Sequence, residues 1–586
     1  MSGKKTDWLK GFLRNDQLIL LLLAVIVGAA VGGGAILFRE LIDFVQSLFL
    51  GGGSEQVTIL AAGLPWWQLL FVPAGGGILI GLFIHFVMPE RRPHGVADVI
   101  EAVYRRDGRM PVVAGPGAAL ASAGSIGVGA SVGREGPVVH LGAFFGAYLA
   151  EKLHFNRLMT LTLLGCGVAS GIAASFNAPL AGVIFALEVV IGHYALSAFA
   201  PIVVAGVTGT IVSRLYFGDF PAFIVPPHAY ASFLEFPIFA LLGVFAALVA
   251  ISFIRGTSAI TALGEKSGLP GWLRPGVAGL LVGSIALFLP QILGVGYEAT
   301  DAALKGLYPL WLLLALLIFK LIATMACIGL GFGGGVFSPS LFLGAMLGGV
   351  FGLITADIFP GLEIVAGSHS LVGMGAVAAA VLGAPISTIL IIFELTGNYP
   401  LTVATMVAVG VSTIITQRVQ AGSFFLCQLK ARGIDPTGGR EDQLLGQIKV
   451  CQVMVEDLGR VGIMAPLEKI RELLPGAPFE TLYVVDDGNR LVGTLGYRDL
   501  ARGVTEMSDK DYVSAKDMLH QNPQFLEADD DLSQAMEVLK SSDKAHLPVV
   551  ADRENMELIG CVHIRDVMAV FAQTLRQARA EERGES

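Results

Sequence analysis

The stretch SIGVGASVGREGPVVHLGAFFGA (125–147) is answered later in the chain by CIGLGFGGGVFSPSLFLGAMLGG (327–349). Nine aligned positions are identical: Ile126/Ile328, Gly127/Gly329, Gly129/Gly331, Gly133/Gly335, Pro137/Pro339, Leu141/Leu343, Gly142/Gly344, Ala143/Ala345 and Gly146/Gly348. A second pair follows in the same order. NAPLAGVIFALE (177–188) aligns with GAPISTILIIFE (383–394), each with an Ala-Pro and a closing Glu. Both pairs lie in strongly apolar sequence, so they read as two copies of one membrane-embedded unit. Gly/Pro-interrupted apolar segments in corresponding places are the sequence mark of repeat-built transporters, with binding sites near the midplane at the repeat interface. The blander alternative is a glycine-rich helix-packing motif used twice.

Composition agrees with a membrane protein. Of 586 residues, 54% are hydrophobic and only 15% charged, against roughly 25% charge in soluble domains. Apolar runs cover 17–38, 66–88, 157–190, 195–215, 234–254, 271–293, 307–330, 370–395 and 401–416. A spanning helix needs about 20 apolar residues, and several of these runs are cut by Gly or Pro. Broken helices are tolerated in a bilayer only where protein buries them or a cavity runs beside them. Lys4, Lys5, Lys10 and Arg14 precede the first span and place the N-terminus in the cytoplasm. The compact loops suggest a prokaryotic source and a bacterial inner membrane. The apolar segment after the basic start is long and followed by many others, so it reads as a first span and not as a secretion signal.

From about residue 431 the chain turns polar and then reads as soluble α/β. LYVVDDGNRLVGTLGYRDL (482–500) predicts strand, turn, strand and helix start, and LPVVADRENMELIGCVHIRDV (547–567) repeats that plan, with Asp499 and Asp566 in matching places. The expected organisation is a cytoplasmic N-terminus (1–16), a membrane domain (17–430, repeats about 17–215 and 234–420), a linker (431–449), two small domains (450–510 and 511–575) and a polar tail (576–586). The net charge of −9 shows no basic patch for nucleic acid. The five cysteines are scattered, which argues against a disulfide framework or a paired-cysteine metal site. No metal-spaced cluster and no nucleophile–base pair stands in the membrane half, so an enzyme is not expected.

Arg134 and Glu135 are costly in such surroundings. GREGP and GVFSP each put a glycine turn before a proline suited to a helix's first turn. Free N–H groups and the positive dipole end at a helix start bind anions. Two facing starts would make a chloride-sized site without a fixed cation, which would hold the ion too tightly to conduct. A carboxylate there is itself an anion, so Glu135 can occupy the site and block it. Protonation, or displacement by chloride, would clear it. The alternative is a structural ion pair with Arg134. An intramembrane carboxylate is a functional candidate by default.

GREGP (133–137), GVFSP (335–339), FNAPLAGVIFALE (176–188) and FELTGNY (393–399) together strongly resemble the CLC family of chloride channels and proton-coupled chloride transporters, over about residues 15–435. The tail resembles a CBS-domain pair. The resemblance implies an α-helical polytopic membrane fold of two inverted repeats, with a cytoplasmic α/β CBS pair. It implies a homodimer with one anion pathway per subunit. Glu135 matches the family's external gating glutamate. Gly136, Val336 and Phe337 match backbone around the anion, and Arg134 matches the arginine beside the gate in chloride-type rather than fluoride-type members.

Departures from the family pattern bear on function. Where the family's first anion motif has a serine, PHGVA (93–97) has His94, followed by Gly95 and Val96 with backbone N–H groups to offer. His titrates near neutral pH, so a protonated His94 would strengthen anion binding; a packing role away from the ion is the alternative. Phe425 takes the place of the family's anion-touching tyrosine. Val189 stands where proton-coupled members carry a second glutamate. That substitution points to a passive channel, with a proton-coupled antiporter using Glu188 or His193 as the alternative. In the CBS pair, GTLGYRD (493–499) and GCVHIRD (560–566) keep Asp499 and Asp566, the ribose-holding position. They place Gly496 and His563 where nucleotide-binding modules have a hydroxyl. Adenine-nucleotide regulation and dimer bracing both remain open readings.

Overall fold

A computed structural model describes residues 16–583 except 54–56, 62, 193–195, 220–222, 224–232, 363, 421, 436–444, 447, 507–512, 522 and 543. The basic N-terminal residues, His193 and most of the linker therefore lie outside the described residues. The chain divides into two compact units, Met1–Asp435 and Pro436–Ser586.

The first half of the membrane unit runs through α1 (Asp16–Leu50), α2 (Trp66–Val87), α3 (Val96–Arg105), α4 (Ala114–Gly127), α5 (Glu135–Lys152), α6 (Arg157–Phe176), α7 (Pro179–Phe185) and α8 (Leu196–Phe217). The second half repeats the series as α9 (Glu235–Lys266), α10 (Arg274–Ala286), α11 (Tyr297–Leu304), α12 (Leu310–Gly329), α13 (Phe337–Ile358), α14 (Ala366–Leu382), α15 (Pro385–Thr396) and α16 (Tyr399–Gln420), with α17 (Phe424–Ala431) after it. Eight helices among the described residues are long and apolar enough to cross a membrane. Leu22, Ile26, Phe44, Phe86 and Leu215 are exposed on their surfaces, as lipid contact requires.

The breaks fall where the sequence has its punctuation. The apolar run 157–190 is two helices, because Asn177 turns left-handed (φ 58°) just before Pro179. The run 370–395 breaks in the mirror position, at left-handed Gly383 (φ 68°) before Pro385. Residues Ala186–Ile191 continue α7 as a wider i→i+5 turn.

Duplicated glycines have two separate jobs. Gly142 lies on the Gly167 backbone between α5 and α6, and Gly344 lies on the Gly373 backbone between α13 and α14. A Cβ at any of these four would collide with a carbonyl of the other helix. The packing explanation of the repeat therefore accounts for these glycines, where close backbone approach replaces side-chain burial. Gly133 and Gly335 do something else. They form an antiparallel bridge, each N–H donating to the other's carbonyl at 2.7 Å. The two copies of the motif thus meet head to head, running in opposite directions, which is the inverted relation of the halves.

In the second unit, β1 (Arg460–Gly462), β2 (Thr481–Val485), β3 (Leu491–Gly496) and β4 (His520–Gln521) make one sheet in that order. A second sheet orders β5 (Leu526–Glu527), β6 (His546–Val550) and β7 (Leu558–His563). The hairpins β2–β3 and β6–β7 carry a register shift at equivalent places, Val484/Val485 and Val549/Val550. Each feeds directly into a helix, Tyr497–Glu506 and Ile564–Arg583, the second extending through most of the expected polar tail.

Candidate anion pathway

The Gly133–Gly335 bridge sets the starts of α5 and α13 side by side. Glu135 is the first residue of α5 and is fully buried. Its side chain does not stay with its own helix. Oε2 accepts the backbone N–H of Ser338 in the first turn of α13 at 3.3 Å, and Oε1 accepts the Tyr297 hydroxyl at 2.5 Å. The carboxylate of one half therefore sits on the helix start of the other, where the first N–H groups lack intrahelical partners. Arg134 stands beside it, Nε 3.8 Å from Oε1, with its guanidinium 4.6 Å from the centre of the Tyr297 ring. The contact is too long for a hydrogen bond, so Arg134 adds potential without clamping the carboxylate.

On the other side of the bridge is a cavity of about 80 Å³ lined by His94, Gly95, Val96, Gly136, Val336, Phe337 and Phe425, together with Asp98 and Arg432. A water's share of liquid volume is about 30 Å³, so an ion with a water or two fits. Seven of the eight residues expected to bind the anion thus share one wall; Arg134 belongs to the Glu135 side. This cavity shares Pro93, Ile328, Phe424, Gln428 and Arg432 with a larger one of about 730 Å³, whose walls carry Arg91, Arg92, Arg105 and Arg274 together with Glu90, Glu101 and Glu265. Phe337 packs its ring against Phe176 and Phe185 at 5.0 and 5.9 Å between centroids.

One expectation needs correction. The Gly95 N–H does not face the cavity as a free donor, because Asp98 Oδ2 accepts it at 2.7 Å. Asp98 lies three residues on, in the first turn of α3, the spacing at which an acidic side chain reaches back to its helix cap. Its other oxygen takes Arg92 at 2.5 Å and Arg432 at 3.0 Å. His94 is held by the same group of residues. Its Nε2 lies 3.2 Å from the Pro89 carbonyl, and its ring meets His140 edge to face at 5.8 Å. His94 lines the cavity, yet the nitrogen best placed for donation points at backbone.

Glu188 has a defined structural task. Its carboxylate accepts the N–H groups of Ile386 and Ser387 at 3.0 and 2.9 Å and the Ser387 hydroxyl at 2.5 Å, at the start of α15. Glu394 returns the favour to α7, accepting from Leu180 and Ala181 at 3.0 and 2.9 Å. Val189 packs half-buried against the core. In the second unit, Asp499 Oδ2 accepts the Gly496 N–H at 3.0 Å. Asp566 takes the same place at the start of the helix after β7.

Sequence reading missed Tyr297, Ser338, Asp98, Arg432 and Glu394. The Gly95-x-x-Asp98 spacing was a usable signal for a cap. The repeat alignment pairs Glu394 with Glu188, and the swap is legible from that pairing. Tyr297 follows a Gly-x-Gly turn with nothing to tie it to a residue far upstream.

Comparison with known proteins agrees with this geometry. The family model for voltage gated chloride channels matches residues 76–417, and that for CBS domains matches 450–506 and 515–573. A ClcB-like chloride channel protein of Ralstonia nicotianae is 33% identical over 407 residues, 69% of this chain and 94% of that protein. The Escherichia coli voltage-gated ClC-type chloride channel ClcB is 30% identical over 392 residues, 66% of this chain and 93% of that one. The crystal structure of a slow cyanobacterial Cl−/H+ antiporter superimposes with a TM-score of 0.63 at 22% identity, covering 70% of this chain and 97% of that one. With a family match over most of the membrane half, a CBS pair behind it and two facing helix starts at the Gly133–Gly335 bridge, the chain belongs to the voltage gated chloride channel family, the CLC proteins.

Proposed function

We propose that this protein is a chloride channel of the CLC type, conducting chloride or a similar monovalent anion passively, with Glu135 as the removable plug of the path. The observation that carries the reading is the position of Glu135. A carboxylate accepting from Ser338 N at the start of α13 occupies the kind of seat that an anion would take. Charge-assisted hydrogen bonds contribute about 1.5–3 kcal/mol each, so the plug is stable while ionised and weakened once protonated. The cavity lined by Val96, Gly136, Val336, Phe337 and Phe425 is the neighbouring ion position, fed from the larger cavity with which it shares Arg432.

Two observations favour conduction over proton exchange. Val189 carries no proton, and both oxygens of Glu188 are engaged at the start of α15. The reading includes a homodimer with one path per subunit. The bacterial origin of both relatives supports a bacterial inner membrane, with both termini cytoplasmic.

The test is chloride flux from liposomes with pH recorded on both faces. Chloride moves down its gradient without net proton transfer, and external acidification speeds it. Uphill proton movement driven by chloride would replace the channel with an antiporter. Glu135→Gln should conduct without dependence on external pH; a preserved pH response would remove Glu135 from the gate.

A further inference from the structure

We propose that Tyr297 is a latch on the Glu135 gate, and that the buried Lys320 is the positioning residue that holds the latch in place. The proposal rests on the reading of Glu135 as the plug and adds residues that set how firmly the plug is held.

Tyr297 donates to Glu135 Oε1 at 2.5 Å, and Ser338 Oγ stands 3.5 Å from the same hydroxyl. Tyr297 is the first residue of α11, and so depends on the turn before it. That turn is tight. Gly294 and Gly296 have φ of 57° and 86°, and a Cβ on Gly296 would press into the Phe342 ring. Left-handed backbone of this kind favours glycine. Gly294 also donates its N–H to the Gly129 carbonyl at 3.2 Å, which ties the turn to the first half.

Lys320, on α12, explains how the turn is held. It is fully buried. Its Nζ donates to the carbonyls of Ile292 and Gly294 at 2.9 and 2.8 Å and lies 5.0 Å from the centre of the Phe342 ring. Among the described residues no carboxylate lies within ion-pair distance of it. An ammonium buried in a membrane protein without a counter-charge is costly, and the partners it does have are both in the turn that carries Tyr297. The rest of the latch is packed from three sides: Phe223 edge-on to the Tyr297 ring at 4.9 Å, Arg134 over its face, and α13 behind. The charged and titratable groups facing Glu135 are Arg134 on its own loop and Tyr297 on α11. Lys320 stands behind the turn, and Asp43 of α1 acts on Arg134.

The hydroxyl bond is strongest to an ionised carboxylate. Losing it weakens the seated, ionised plug more than the protonated one. Tyr297→Phe should therefore clear the path at less acidic external pH, moving the activation midpoint up by about one pH unit, a tenfold lower proton concentration. Anion selectivity should stay as it is. Lys320→Met should move the midpoint in the same direction, and Lys320→Gln, which keeps a donor, should restore it. The double variant Tyr297→Phe/Lys320→Met should match Tyr297→Phe alone. Gly296→Ala disturbs the turn by another route and should give the same upward shift if Lys320→Met does not yield assembled protein. The readout is chloride flux against external pH for the full-length protein in liposomes, with Glu135→Gln measured alongside. If Glu135→Gln loses its pH dependence and Tyr297→Phe keeps the wild-type midpoint, the latch is wrong and the gate stands. If Glu135→Gln keeps its pH dependence, both fall. Additive shifts in the double variant would overturn the role given to Lys320.

Discussion

The two halves of the membrane unit are alike at one pair of helix starts and unlike at another. At α7 and α15 the exchange is mutual: Glu188 of the first half caps α15, and Glu394 of the second caps α7. At α5 and α13 it is one-sided. Glu135 crosses to α13, and where a returning acid would stand the second half has Phe337, packed among aromatic rings. A reciprocal pair satisfies orphan N–H groups on both sides and stays put. A one-sided acid leaves its own helix start without a matching carboxylate, and on the reading proposed above one seat is then plugged while the other is left for a mobile anion. The two copies share the reciprocal cap and differ at the α5 and α13 starts, which is where the proposed gate stands.

Breaking the mutual pair should have the largest effect. Glu188→Ala leaves the N–H groups of Ile386 and Ser387 and the Ser387 hydroxyl without their acceptor, and Glu394→Ala does the same to Leu180 and Ala181. Each should cost about 2–3 kcal/mol, seen as a fall in Tm and a loss of monodisperse protein in detergent. Glu188→Gln keeps one acceptor oxygen and should cost less. In proteoliposomes its chloride flux should keep the wild-type dependence on pH, whereas a proton-relay role for Glu188 would change it.

A smaller effect is expected inside the cavity. Asp98 brings the one carboxylate to a wall whose other polar side chains are His94, Gln428 and Arg432, and it engages the Gly95 N–H. Asp98→Asn keeps an acceptor for that N–H and removes the charge. At an effective dielectric near 20, a unit charge about 8 Å from an ion is worth about 2 kcal/mol, and Arg92 and Arg432 offset part of it. Chloride should therefore bind several-fold tighter, measured by isothermal titration. Unchanged affinity would mean that Arg92 and Arg432 already neutralise Asp98 as far as the ion is concerned.

Much of this was legible because duplication is legible. The paired GREGP and GVFSP motifs, the two Ala-Pro breaks and the doubled strand–turn–strand plan of the tail are local patterns, and local patterns survive in a linear string. The residues that were not legible act across the chain. Tyr297 meets Glu135 over more than a hundred intervening residues, and Arg432 reaches Asp98 from the far end of the membrane unit. Gly95 shows the same limit from the other side. Its N–H looked free in sequence, and only the return of Asp98 shows where the bond goes. The end of the chain has its own local reason: residues 576–583 of the expected polar tail extend an amphipathic helix begun at Ile564, and sequence polarity alone does not mark where such a helix stops.

The smallest effect belongs to the other duplication, in the tail, where the same contrast recurs. Equivalent ends of the two hairpins carry Thr481 opposite Gly496 in the first copy and His546 opposite His563 in the second. The second copy's histidines meet a ring of the first there, with Phe479, just before β2, 4.9 Å from the His563 ring and 5.7 Å from the His546 ring. Burial lowers the affinity of His546 for a proton, and the nearby charges of Lys544 and His563 lower it further, to a pKa of about 4. A base held neutral in this way contributes stability above its unfolded pKa of about 6.5, and loses it as pH falls toward 4. Partial exposure screens the effect to about 1 kcal/mol or less. His546→Thr, which restores the residue of the first copy, should therefore flatten the tail's loss of stability between pH 6.5 and 4.5. The measurement is the unfolding of the CBS pair within the full-length protein, followed by hydrogen exchange at β6 and β7. An equal acid sensitivity in the variant would mean that the second copy's histidines are only packing, and that asymmetry between repeats marks chemistry in the membrane half alone.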